Sequence, residues 1–163
     1  MSIIPSLQGL HNLKFSIQSP PFSTNSAYHK RSFTRTTECR AWGDRILGQI
    51  SSSKDLQQGF KAFRKYFCPK SHGIAVELLF HIPYNIYFTK SGTLKLQKKD
   101  LSNIEKLLID LIYDKRFNDR FVDSMPVSNL NLDDKYNISL HSAQVPSESY
   151  SIDVSLTVVN LPL

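Results

Sequence analysis

Two cysteines in 163 residues are too few for a disulfide framework or a thiolate zinc module. Cys68 and His72 form a single ligand pair with no second pair to complete a tetrahedron, so Cys39 and Cys68 both read as structural. No apolar run approaches the roughly 20 residues that a membrane-spanning helix needs, which excludes that class of membrane protein. Residues 1–12 carry no basic n-region and only a brief Ile3-Ile4 apolar step, so they are no signal peptide, and a cytoplasmic protein with no membrane partner is expected. No repeat and no low-complexity tract is present. Acidic residues are scarce in residues 1–99, which hold 4 Asp/Glu against 15 Lys/Arg; residues 100–163 reverse this, with 10 against 5.

The length suits one domain able to bury a core without staples: an N-terminal extension over 1–12 and a domain over 13–163. Leu13, Phe15 and Ile17 alternate with polar residues as a first strand that stops at Ser19-Pro20-Pro21. A polar loop to about Arg35 leads to a helix from Thr36 or Thr37 through Trp42, Ile46, Leu47 and Ile50. Leu56, Phe60, Phe63 and Phe67 mark a second helical face, and Ile74 to Ile82 reads as a buried strand. Tyr84 to Lys99 is a polar, basic connection that suggests a mobile arm. Ile104, Leu107, Leu108, Leu111 and Ile112 share one face of a helix over 103–115, with Asn103, Lys106 and Asp110 opposite and Ser102 and Glu105 spaced as a capping box. Residues 115–127 read as a loop. Alternation over Tyr136, Ile138 and Leu140 and over Tyr150 to Val158 gives two strands, expected to form a hairpin around Pro146-Ser147-Glu148. The fold class is α+β: a single domain with a mixed four-stranded sheet, in the order β-α-α-β-α-β-β.

Carboxylates concentrate in two places, Asp100 to Asp110 and Asp133-Asp134, within a chain of net charge +6. Two such clusters brought together can hold Mg²⁺ and leave positions open for phosphate oxygens, which points to metal-assisted chemistry on a polyanion. Acids at a helix start also favour the helix dipole, and Asp pairs are common in turns, so either cluster alone has a structural explanation. The Arg-rich stretch with Arg31, Arg35, Arg40 and Arg45 near Tyr28, His29 and Phe33 suits phosphate forks and base stacking, and Lys98 and Lys99 extend the cationic set.

Ile17-Gln18-Ser19-Pro20-Pro21-Phe22-Ser23-Thr24-Asn25-Ser26-Ala27-Tyr28, then Ala41-Trp42, then His81-Ile82-Pro83 resemble successive motifs of the RusA-type Holliday-junction endonuclease family. Asp100, Asn103, Lys106 and Asp110 are similar to that family's Asp-x-Asp-Asn-x-x-Lys signature with its further Asp, and Asp133-Asp134 to its later Asp pair. The likeness runs collinearly over residues 13 to 159. It implies a homodimeric, Mg²⁺-dependent endodeoxyribonuclease, with Mn²⁺ as an alternative metal, that cleaves branched DNA in recombination and repair. Asp100 with Asp133 or Asp134 would hold the metal, and Lys106 would stabilise the developing phosphate charge or position the water. Arg31, Arg35, Lys98 and Lys99 would bind DNA phosphates.

The chain departs from the family pattern at Ser102, which stands where the signature has its second acidic residue. Serine cannot supply a charged metal ligand. A non-catalytic protein that keeps the junction-binding surface is therefore the competing expectation. A protein-interaction module whose charges merely solvate its surface is the third.

Overall fold

The period-two alternation of three segments and the apolar run over Ile74 to Ile82 become four strands: β1 (Gly9–Ile17), β2 (His72–Pro83), β3 (Asn137–Ser147) and β4 (Ser151–Asn160). The computed structural model describes residues 9–27, 35–95, 101–113 and 132–161. The strands form one mixed sheet in the order β1-β4-β2-β3, giving the expected α+β domain. β1 starts at Gly9, so residues 9–12 of the expected extension already pair with the sheet.

The helices are α1 (Thr24–Ala27), α2 (Thr37–Ser52), α3 (Lys54–Tyr66), α4 (Tyr84–Tyr87) and α5 (Leu101–Tyr113). Thr36 caps α2 by accepting from the Cys39 amide at 3.2 Å, and Ser53 caps α3 by accepting from Leu56 at 3.2 Å. No described helix is long and apolar enough to cross a membrane.

One sheet face carries the core. Leu13 and Ile17 of β1, Ile152 to Val158 of β4 and Ile74 to Ile82 of β2 supply its alternate residues, packed against Trp42, Ile46 and Ile50 of α2, Phe60 and Phe63 of α3, and Leu107, Leu108 and Leu111 of α5. Phe15 meets Phe60 at a ring separation of 5.4 Å, which seats α3 over β1. The opposite strand positions are mainly polar: Lys14 and Ser16, Glu77 and His81, Asp153 and Ser155. Here Asp153 accepts from Ser16 at 2.8 Å and meets His81 Nε2 at 2.8 Å.

The expected hairpin between the last two strands does not form. β4 pairs antiparallel with β1 and β2, whereas β3 pairs parallel with β2. The short link after Ser147 crosses the end of β2. β4, with Ile152, Val154, Leu156 and Val158 all buried, takes the interior of the sheet. β3 carries Pro146, which cannot donate to a ladder, and exposes Ile138 and Leu140, so it takes the edge.

Residues 84–95, the described part of the expected arm, fold back on themselves. The Thr89 amide donates to Thr93 O at 2.8 Å and that of Lys95 to Tyr87 O at 3.0 Å, around a turn with Gly92 at φ 81°.

Phe60 is fully buried among both layers. Phe60→Ala should cost about 3–5 kcal/mol through lost burial and the cavity left behind; the urea midpoint of wild type and variant measures it.

Candidate functional site

The Ser-Pro-Pro segment that ends β1 is clamped against α2. The indole N–H of Trp42 donates to Pro20 O at 2.9 Å, and Phe22 packs on the same ring at 5.8 Å. Gln49 reads the Gln18 backbone twice, accepting from its amide at 2.8 Å and donating to its carbonyl at 2.9 Å. Thr36 ties the far end of the loop, its amide donating to Ala27 O at 2.8 Å and its hydroxyl to Ser26 O at 3.1 Å. Held this way, the loop delivers the Thr24 hydroxyl to Asn103 Oδ1 on the first turn of α5, at 3.2 Å. Two motifs 79 residues apart in the chain thus meet.

On α5 the faces divide as the sequence predicts. Ile104, Leu107, Leu108, Leu111 and Ile112 are buried, Lys106 is exposed, and Asn103 and Asp110 are half-buried. The capping box is not used. Ser102 is the second residue of the helix rather than its cap, and Glu105 instead accepts from the Ser142 hydroxyl on β3 at 2.6 Å. Asp100, Lys98, Lys99 and Arg31 lie outside the described residues. Arg35 is half-buried at the entry to α2, where its charge and that of Arg40 oppose the burial that pushes the Cys39 thiol up.

Asp133-Asp134 occupies the other end of α5. Asp134 opens a 3-10 turn, Asp134–Tyr136, that leads into β3. Asp133 is exposed and held below the usual carboxylate range by the Lys135 amide, which donates at 3.0 Å, and by the Lys135 ammonium at 3.2 Å. Asp134 acts on Tyr113, the last residue of α5. Burial first, and the Asp134 charge second, push this phenol far above its ordinary value, and the nearby Asn137 side chain pulls weakly the other way. The Tyr113 hydroxyl lies beside the Asn137 side-chain amide, and among the described residues neither it nor Asn137 Oδ1 makes a hydrogen bond of full geometry.

Asn103 and the Asp133-Asp134 pair therefore sit at opposite ends of a 13-residue helix, which is about 20 Å long, while Asp110 lies in its last turn, at the end where Tyr113 meets Asp134. Among the described residues no three His, Cys, Asp or Glu side chains gather into a metal-binding group. Near Asp134 the buried Asn137 Oδ1 and Tyr113 hydroxyl are oxygen atoms that face each other's side chains. The first turn of α5 offers Asn103, Thr24 and Ser102, and no described carboxylate. Sequence reasoning missed Tyr113 and Asn137, because Tyr113 falls on the apolar period of the helix and Asn137 reads as a strand residue. No family model matches the chain and no curated protein matches it. The family likeness rests on the quoted motifs.

The raised Tyr113 value has a signed consequence. Its neutral form stabilises the fold fully below about pH 10, the ordinary value, and that contribution is lost as pH rises further. Tyr113→Phe removes the ionisable group along with a buried hydroxyl that makes no hydrogen bond of full geometry among the described residues. The variant should be as stable as wild type at pH 7, or more so by up to about 1 kcal/mol, and should lose less stability above pH 10. Urea unfolding at the two pH values tests this.

Proposed function

We propose that this chain is a structure-selective DNA-binding protein of the RusA type that cleaves branched DNA in a Mg²⁺-dependent reaction. The observation that carries the reading is the end of α5 beside Asp134, where an exposed carboxylate adjoins two buried oxygens, Asn137 Oδ1 and the Tyr113 hydroxyl, that make no hydrogen bond of full geometry among the described residues. Asp134 and Asn137 would hold the metal, which supplies charge neutralisation at a phosphate and lowers the pKa of a bound water. Asp133 is engaged by Lys135 and serves better to fix the turn than to ligate. Lys106, exposed on the outer face of α5, offers a cation to a phosphate lying along the helix. The meeting of Thr24 with Asn103 supports the same reading, since it joins the loop and helix motifs on which the likeness to the family depends.

A second reading is a junction-binding protein that does not cleave. Ser102 in an acidic position of the signature favours it, as does the helix length that separates Asn103 from Asp134.

Purified full-length protein should nick a four-way DNA junction only when Mg²⁺ or Mn²⁺ is present. Asp134→Asn should reduce cleavage on the order of 100-fold, the scale of losing one charge-stabilising group, while junction affinity is kept. Asp133→Asn should reduce it less. A large loss with Asp100→Asn and none with Asp134→Asn would move the chemistry to the first turn of α5. Junction binding with no metal-dependent nicking would leave the second reading.

A further inference from the structure

The second half of α3 and the turn after it carry charge of one sign. Between Asp55 and Glu77 there is no carboxylate, and Lys61, Arg64, Lys65 and Lys70 all fall in this interval. Lys61 and Lys65 stand one helical turn apart on the exposed side of α3, and Lys70 projects from the turn. Among the described residues none of these three lysines is ion-paired. Attraction to the C-terminal end of a helix accounts for Arg64 and Lys65 in the last turn of α3, but not for Lys61, one turn earlier, or for Lys70, beyond the helix. By contrast α2 mixes its signs, with Glu38 and Asp44 among Arg40 and Arg45.

A column of rings fixes this surface. Tyr66, 44% exposed, lies between His11 at 5.2 Å and 22° and His72 at 5.7 Å and 10°. The turn is closed by the Cys68 amide donating to His72 Nδ1 at 2.9 Å and by the His72 amide donating to Cys68 O at 2.9 Å. Phe67 packs on His72 at 6.1 Å and on Tyr136 at 5.1 Å, and the Lys135 ammonium stands 5.3 Å from the centre of the Tyr136 ring. The column thus runs from the lysines to the Asp133-Asp134 turn, at the end of the sheet where β2 and β3 begin.

We infer that Lys61, Lys65 and Lys70 form the docking surface for the phosphate backbone of a DNA duplex arm, which they lead toward the Asp134 end of α5. Unpaired lysines on a rigid frame neutralise phosphates without first breaking ion pairs of their own, and each phosphate so neutralised releases counterions. The inference rests on the reading of the chain as a DNA-binding protein.

Cys68 lies between Lys65 and Lys70 and provides a probe in the unaltered protein. It is exposed, with its ionisation eased by a hydrogen bond from Ser71, whereas Cys39 is buried. Duplex or four-way junction DNA should slow alkylation of Cys68 by N-ethylmaleimide at least several-fold. In the K61Q/K65Q/K70Q variant, whose urea midpoint should match wild type because all three side chains are exposed, DNA affinity at low salt should fall at least tenfold. The slope of log affinity against log salt should flatten by about two to three units, at roughly 0.9 per lost phosphate contact. If the wild type binds DNA with a steep salt slope, while the variant binds equally well and Cys68 is unprotected, the docking surface is wrong and the DNA reading stands. If the wild type binds neither duplex nor junction, both fall together.

Discussion

Parallel pairing of β2 with β3 governs the rest of the structure. Parallel strands cannot be joined by a tight turn, so the chain must return along the sheet between them, and α5 lies in that return. A helix in that position runs opposite to both strands. Its first turn lies toward the end of β3 and its last turn toward the beginning, as the Glu105 to Ser142 bond and the neighbourhood of Tyr113, Asp134 and Asn137 record. Whatever precedes β3 is carried to the C-terminal end of α5, about one helix length from Asn103.

This constraint gives the molecule two poles of different chemistry. At one, the Ser-Pro-Pro loop is locked by Trp42, Gln49 and Thr36 and meets α5 where the Thr24 hydroxyl reaches Asn103. The loop is short of regular structure but not of hydrogen bonds, which is how an irregular segment can hold a side chain in place. At the other, carboxylates, the buried Tyr113 hydroxyl and Asn137 amide, a ring column and exposed lysines gather where β2 and β3 begin.

Burial also decides which strand takes the interior of the sheet. β4 buries an unbroken apolar alternation and can lie between two partners, whereas β3, with Pro146 and exposed Ile138 and Leu140, is suited to an edge. A row of unpaired backbone groups on an edge strand is open to pairing with another chain, and the proline and the polar residues His141 and Ser142 temper that.

Much of this was legible in the sequence. The cap at Thr36, the apolar stripe of α5, the alternation in β1 and β4, the apolar run of β2 and the α+β class follow from residue chemistry and periods of 2 and 3.6, which are local properties. The likeness of the motifs to a nuclease family is likewise a matter of residue order. The sequence did not reveal that β3 pairs with β2 instead of β4, because alternation says which residues face inward and nothing about which strand lies alongside. It did not reveal that Ser102 falls inside the helix, since Asp100 to Asn103 offers several starts of similar quality. Nor could it separate Asp134 from Asn103 or bring Asp134 to Tyr113 and Asn137. Those distances depend on the direction in which α5 crosses the sheet, and only the tertiary pairing of β2 with β3 sets that direction.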